Sequence, residues 1–277
     1  MVIKMSELDI KLCAFDMDGT ILTSDNNLTQ NTINSLKKIQ DRGIHIAFVT
    51  GRVYISPLYY KKINDLKASI LCTNGSLVYD EKDELIYKRI LDKEEMHKIL
   101  ALLEEERLYF HLYTMDGLVT PYGDNSNSSV ERRMPKGYDH LLKRHILTFD
   151  EIRSFDEDLF KILIIENDET KRNNFKNKLM DRGIKITSSW WNNIEYTHQL
   201  ADKKIAIQKL LDHYNLNWDN VIAFGDNEND LVMLKAAKKG YLMGNASENL
   251  KKDNSLEIVD TNDNEGVNKK LIEIFKL

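Results

Sequence analysis

The sequence predicts an α/β protein whose Rossmann-like parallel-sheet core is interrupted by an inserted α+β cap domain. Three observations lead there. Short apolar runs alternate with helical patterns at both ends of the chain, as in a parallel sheet with crossover helices. The middle changes texture, to longer strands joined as hairpins around an amphipathic helix. Each apolar run at the two ends is followed by a short segment carrying Asp, Thr, Asn or Gly. The expected division is residues 1–82 plus 192–277 for the core and 83–191 for the cap.

Lys11-Leu12-Cys13-Ala14-Phe15 reads as a buried strand, and Thr29 is placed to cap a helix carrying Ile33, Leu36 and Ile39 that ends at Gly43. Ile44 to Val49 makes the second strand, a helix follows around Leu58 to Leu66, and Ile70 to Thr73 makes the third strand. Leu77-Val78-Tyr79 and Leu85-Ile86-Tyr87 flank a polar turn. In the middle, Asp92 to Arg107 is an amphipathic helix with Met96, Ile99, Leu100 and Leu103 as its stripe. Tyr109 to Thr114 and Leu118 to Tyr122 form a hairpin around Asp116-Gly117. Then come a strand at Leu159 to Ile165, a helix at Glu169 to Gly183, and strands at Ile184 to Trp190 and Asn193 to Thr197. The core texture returns with a helix at Lys203 to Tyr214, the strand Val221 to Phe224, a helix at Asp230 to Lys238 and a strand at Tyr241 to Met243.

Composition narrows the function. With 39 Lys+Arg against 44 Asp+Glu the net charge is -5, without the basic excess of a nucleic-acid binder. The 42% of hydrophobic residues suffices for real cores, and no run approaches the ~18 apolar residues of a membrane span. Cys13 and Cys72 lie inside apolar runs, as buried thiols of a reducing compartment do. The expectation is a soluble cytoplasmic protein, monomeric or weakly dimeric, with neither nucleic acid nor membrane as partner. His45, inside an apolar strand, reads as a packed or partnered core histidine. Of Trp190 and Trp191, alternation puts one ring into the cap core and the other at a surface or the cap–core interface.

The chemistry gathers at the strand ends, where open parallel sheets bind ligands. Asp16-Met17-Asp18-Gly19-Thr20 follows the first strand, Thr50-Gly51-Arg52 the second, Asn74-Gly75 the third and Gly225-Asp226 to Asp230 the fourth. Carboxylates converging at one edge repel each other unless protons or a divalent cation intervene, and Mg²⁺ suits hard oxygen ligands. Asp16 is then a candidate nucleophile that forms an aspartyl-phosphate. Asp18 is a candidate acid/base, brought round by a turn at Gly19. Lys203 or Lys204 can neutralise a transferring phosphoryl group, and Thr50 with the Gly51 N–H can bind its remaining oxygens.

In these segments the chain resembles the haloacid dehalogenase superfamily, in particular its Cof-type branch with a class IIB cap. Asp16 to Thr20 stands as the DxDGT motif, Thr50 as the second motif, and Glu195-Tyr196 with Lys203 as the third. Gly225-Asp226, Asn229-Asp230 and Met233-Leu234 stand as the fourth; Asn74-Gly75-Ser76, Asn245-Ala246 and Gly266-Val267 match further signatures of the branch. Two positions depart from the pattern: Lys204 replaces a glycine, and Tyr196-Thr197-His198 replaces an apolar-Pro stretch. The resemblance implies that Asp16 is the nucleophile and Asp18 the acid/base. It makes Thr50, Gly51, Lys203 and Asn229 the phosphate-binding set. Mg²⁺ would be held by Asp16, the Asp18 backbone carbonyl and Asp226, with Asp230 close by. The implied activity is a Mg²⁺-dependent phosphatase for small phosphorylated metabolites, sugar phosphates first. A phosphomutase on the same scaffold and a non-catalytic phosphometabolite sensor are the alternatives. Substrate choice would rest on cap side chains such as Tyr113, Tyr122, Arg132, Arg133 or Trp191.

Overall fold

The structure is a computed structural model that describes residues 9–115, 117–123, 142–188 and 190–277. Its organisation follows from strand β1 (Leu12–Phe15), which is buried along its whole length. Cys13 and Phe15 pack into one apolar cluster with Leu36, Ile39 and Leu271; Leu12 and Ala14 pack into another with Ile207, Leu210 and Met233. A strand with no polar face needs helices on both sides, which defines a doubly wound sheet. The other elements, in chain order, are α1 (Gln30–Asp41), β2 (His45–Val49), α2 (Ile55–Ile63), β3 (Ala68–Cys72), β4 (Leu77–Tyr79), β5 (Leu85–Lys88), α3 (Lys93–Glu106), β6 (Tyr109–Tyr113), β7 (Gly117–Thr120), β8 (Lys143–Ile146), α4 (Phe149–Arg153), β9 (Lys161–Ile165), α5 (Glu169–Met180), β10 (Asn193–Thr197), α6 (Lys203–Tyr214), β11 (Val221–Gly225), α7 (Leu231–Ala236), β12 (Lys239–Leu242), α8 (Glu248–Lys251), β13 (Glu257–Ile258) and α9 (Gly266–Phe275).

Among the described residues eight strands form the core sheet, in the order β13-β12-β11-β1-β2-β3-β4-β5. All pairings from β13 to β3 are parallel, and β4 and β5 join antiparallel. The chain runs outward in one direction from β1 and in the other from β11, so the strand order reverses between these two central strands. Such a switch point leaves a crevice at the strand ends. Helices α1 and α9 cover one face of the sheet, and α6 and α7 the other. Helix α1 starts where expected: Thr29 Oγ1 accepts the Thr32 N–H at 3.3 Å.

The second sheet, in the order β10-β9-β6-β7-β8, belongs to the cap. Phe110, Leu112, Ile162, Ile164, Ile194 and Tyr196 pack against Ile99, Leu103, Phe175 and Leu179 of α3 and α5. The opposite face turns to the core, where Tyr113 and Leu163 meet Val53, and Phe160 packs among Ile70, Cys72 and Tyr79.

Several expectations change. Strand β5 pairs with β4 in the core sheet, so a boundary at residue 82 cuts a core hairpin; polar residues between the two strands mark a turn and no more. Strand β10 pairs antiparallel with β9, so residues 193–197 belong to the cap sheet although they were counted with the core. Among the described residues of the strand expected at 184–190, one bridge forms, between Thr187 and Glu195. Both tryptophans are exposed, Trp190 at 55% and Trp191 at 63%, because no strand alternation acts on them. Unforeseen are β8, an exposed edge of sequence Lys-Arg-His-Ile, and α4, although Thr148 and Glu151 form a reciprocal capping box at its start. Asp116, Arg132 and Arg133 lie outside the described residues. His45 is partnered: its ring stacks on Tyr214 at 4.1 Å and Nδ1 lies 3.3 Å from Glu81 Oε2. Among the described residues no helix is long and apolar enough to cross a membrane.

Phe224 joins the central strands by stacking between Phe15 at 5.3 Å and Tyr241 at 4.9 Å. Phe224→Ala should therefore lower stability by about 3–5 kcal/mol, the usual cost of emptying a packed aromatic site. Urea unfolding checks this, and a loss below about 1 kcal/mol would contradict the packing described.

Candidate active site

Three strand ends and the start of one helix supply the site. Asp16 follows β1 directly, and its N–H bonds to Phe224 O at 3.0 Å. Its buried carboxylate accepts Lys203 Nζ at 2.5 Å, and the same ammonium reaches Asp230 Oδ1 at 2.5 Å. Lys203 is the first residue of α6, a helix capped by Asp202, whose Oδ1 accepts the Ile205 N–H at 2.7 Å. Successive helical residues diverge by about 100°, so Lys203 enters the site while Lys204 is exposed. Of the two lysines, Lys203 is the one that reaches Asp16 and Asp230.

Asp230 is fully buried and does two things. Besides meeting Lys203, its Oδ2 accepts the N–H groups of Asp226 and Asn227, each at 3.0 Å, and so shapes the loop after β11. Gly225 makes room for it: a Cβ there would lie 2.4 Å from Asp230 Cβ. Asp226 turns towards the first loop, where its Oδ1 accepts Thr20 Oγ1–H at 3.2 Å.

The first loop is wound more widely than an α-helix, with Leu22 N–H bonding to Met17 O at 3.0 Å. Gly19 has φ +77° and approaches Asp226 so closely that a Cβ would sit 2.5 Å from Oδ2. Asn245 fixes the same turn, donating Nδ2–H to Gly19 O at 2.8 Å. Asp18, in this turn, is only partly buried, and its carboxylate is gripped by Arg52 through Nε at 2.9 Å and Nη2 at 2.6 Å. Arg52 is itself fixed by Ser56 Oγ at 3.0 Å and Asn26 Oδ1 at 2.6 Å, under the ring of Tyr60. Thr50 is buried one residue past β2, with Gly51 beside it, and its Oγ1 accepts the Arg52 N–H at 3.1 Å. Asn229 lies half-buried in the turn Glu228–Asp230.

Electrostatics follow from this crowding. Burial pushes the Asp16 carboxyl well above the ordinary range; Asp230 adds to the shift and Lys203 opposes it. Asp226 is pushed up to about 7, by burial first and Asp230 second. Burial would weaken Lys203 as a cation, but Asp16 and Asp230 overcome this and keep it charged. Arg52 behaves alike: burial opposes its charge, and Asp18 more than restores it.

Asp16, Asp226 and Asp230 bring carboxylate oxygens within 4.8 Å of one another. Three carboxylates around one ammonium leave an excess of negative charge, and the donors are hard oxygens only. That donor set fits a divalent cation, which would replace the protons that burial now favours. Asp18 adds no carboxylate to this cluster because Arg52 holds its side chain.

Asp16, Asp18, Thr50, Gly51, Asp226, Asn229 and Asp230 follow the ends of β1, β2 and β11 while Lys203 comes from the start of α6, and a few partners were not foreseen. Arg52 stood in the second motif without a role, and the pairing of Thr20 with Asp226 crosses 206 residues. The local signal for Arg52 was an arginine placed directly after a strand-ending glycine.

The core is a doubly wound sheet with an acidic centre at its strand ends, and a second sheet packs against it. The chain belongs to the haloacid dehalogenase-like hydrolases, whose family model matches residues 13–271. The phosphatase YwpJ of Bacillus subtilis is 29% identical, over 93% of this chain and 97% of its own. The 5-amino-6-(5-phospho-D-ribitylamino)uracil phosphatase YitU of the same organism is 27% identical, over 96% and 98%. A solved haloacid dehalogenase-like hydrolase from B. subtilis superposes with a TM-score of 0.82 at 27% identity, covering 95% of this chain and 99% of that one. The resemblance read from the motifs is borne out.

The raised Asp226 carboxyl has a measurable sign. Its folded value of about 7 exceeds the ordinary 3.8, so between these limits the folded cation-free protein binds more protons than the unfolded chain. Stability of the cation-free form therefore falls as pH rises through that window. A divalent cation relieves the repulsion, so its stabilising effect should be small at pH ~5 and grow to several °C of Tm at pH ~8. Thermal melts with Mg²⁺ or Mn²⁺ at the two pH values check this; an equal increment at both would contradict it.

Proposed function

We propose that the protein is a Mg²⁺-dependent phosphatase that hydrolyses small phosphorylated metabolites through an aspartyl-phosphate on Asp16. The observation that carries this reading is the Asp16 carboxylate itself, buried at the switch point, 2.5 Å from Lys203 and within the carboxylate cluster. Asp18 stands two residues on in a turn open to solvent. An Asp16 oxygen attacks phosphorus while the bond to the leaving oxygen breaks, and Asp18 gives that oxygen its proton. Asp18 then takes a proton from water, whose oxygen attacks the phosphorus, releasing inorganic phosphate and restoring the Asp16 carboxylate. Lys203, Thr50 Oγ1, the Gly51 N–H and Asn229 serve the three non-bridging oxygens of the transferring phosphoryl group.

Asp16, Asp226 and the Asp18 carbonyl, with Asp230 beside them, would hold the cation, which when bound offsets negative charge on the phosphoryl group. Arg52 holds the Asp18 carboxylate by both oxygens, which favours the ionised form that takes the proton from water in the second step. The cap closes over the strand ends and limits water to the productive position. The named phosphatases among the relatives support a small phosphorylated substrate. Sugar phosphates and phosphorylated ribityl pyrimidines are the first compounds to offer it.

Phosphate release from a panel of sugar phosphates, nucleotides and phosphorylated cofactors, with Mg²⁺ and with EDTA, tests the reading. Release should require the cation, disappear in Asp16→Asn, and fall by about 10²–10⁴-fold in Asp18→Asn, the usual worth of a general acid/base. Phosphate binding without hydrolysis of any compound would favour a sensor. Transfer of the phosphoryl group within a sugar phosphate, without free phosphate, would favour a mutase.

A further inference from the structure

We propose that Lys161 and Glu195, both supplied by the cap, are positioning residues for the phosphate-binding loops of the core; the inference rests on the phosphatase reading. Each is 1% exposed. Strand alternation sends Ile162, Ile164, Ile194 and Tyr196 into the cap's own core, which turns Lys161 and Glu195 to the other face. The register pairs Lys161 with Thr197 and Leu163 with Glu195, making the two charged residues diagonal neighbours. Lys161 Nζ and Glu195 Oε1 are 2.8 Å apart.

Both then reach out of the cap. Lys161 Nζ donates to Gly51 O at 3.3 Å, and Glu195 Oε2 accepts Asn74 Nδ2–H at 2.7 Å. Gly51 and Asn74 lie in two loops already tied together, by Asn74 N–H to Thr50 O and Thr73 N–H to Arg52 O, each at 3.0 Å. On its other side this turn presses on the start of α6: a Cβ on Gly75 would lie 2.3 Å from Asp202 O, the carbonyl just before Lys203. The cap pair therefore sits where the Thr50–Gly51 loop meets the helix start that carries Lys203.

The turn it grips is strained. Thr73, Asn74 and Gly75 are consecutive left-handed residues, with φ of 53°, 55° and 92°. A β-branched threonine there is an outlier that persists only when its surroundings hold it. The bond from Asn74 to Glu195 is such a hold, and it comes from the cap. A buried ion pair adds little net stability compared with apolar residues of similar volume, so its placement fits orientation better than strength. Seating the cap and shaping the phosphate loops become one event.

The test compares wild type with two variants. Lys161→Met/Glu195→Met removes both charges at similar volume, and Asn74→Gly keeps the left-handed backbone while removing the bond to Glu195. Inorganic phosphate affinity is measured by titration calorimetry, Tm by melting, and kcat/KM on every substrate that wild type hydrolyses. Both variants should keep Tm within about 5 °C. Both should bind phosphate about tenfold or more weakly, with kcat/KM lowered by a common factor across leaving groups, because what is disturbed is the phosphate end all substrates share. Wild-type phosphate affinity in Asn74→Gly overturns the proposal, and that variant decides alone if the double one does not fold. A wild type that binds phosphate but hydrolyses nothing removes the phosphatase reading and leaves the comparison of affinities standing. A wild type that binds no phosphate removes both.

Discussion

One ammonium between two buried carboxylates organises the site. Lys203 lies 187 residues from Asp16 along the chain and 2.5 Å from it in space. Burying Asp16 and Asp230 without that cation would leave two desolvated like charges side by side, a cost that a folded chain avoids by taking up protons or a cation. Lys203 can occupy the position only if α6 begins beside the end of β1, and this needs β1 and β11 paired in register with Phe15 opposite Phe224. The central pairing of the sheet and the central charge arrangement of the site are thus the same constraint seen at two scales.

The acidic loops around this lysine are fitted to one another through missing side chains. Gly225 admits Asp230 beneath the strand end, and Gly19 admits Asp226 against the first loop. Either contact fails with a Cβ present. Burial first, and then a negative charge greater than Lys203 offsets, raise the Asp16 and Asp226 carboxyls. An acidic chain can nevertheless attract a phosphate ester, since local cations and backbone N–H groups act at short range, where the net charge of -5 matters little.

Much of the fold was legible because its signals are local. The run Leu12 to Phe15 announced a doubly buried strand, Thr29 announced the start of α1, and Lys203 to Tyr214 was read to the residue as α6. Strand partners were less legible. Leu85 to Tyr87 and Asn193 to Thr197 were recognised as strands but placed in the wrong sheet, because alternation tells which residues share a face and not which neighbour the strand joins. Helix α4 went unread although Thr148 and Glu151 carry its capping signature, five residues being too few for a periodic pattern.

Residue order and spacing alone singled out the strand ends, the pair Asp16 and Asp18, and the loop from Gly225 to Asp230, since each is a contiguous segment with its own turn chemistry. Only the folded arrangement decided that Lys203 and not Lys204 enters the site, that Arg52 holds Asp18, and that Lys161 and Glu195 of the cap reach Gly51 and Asn74 of the core. The first depends on a helix phase, the last on a strand register and Arg52 on the loop after β2, each brought against a distant segment. A shift of one residue would turn a helical side chain by about 100° and a strand side chain to the opposite face.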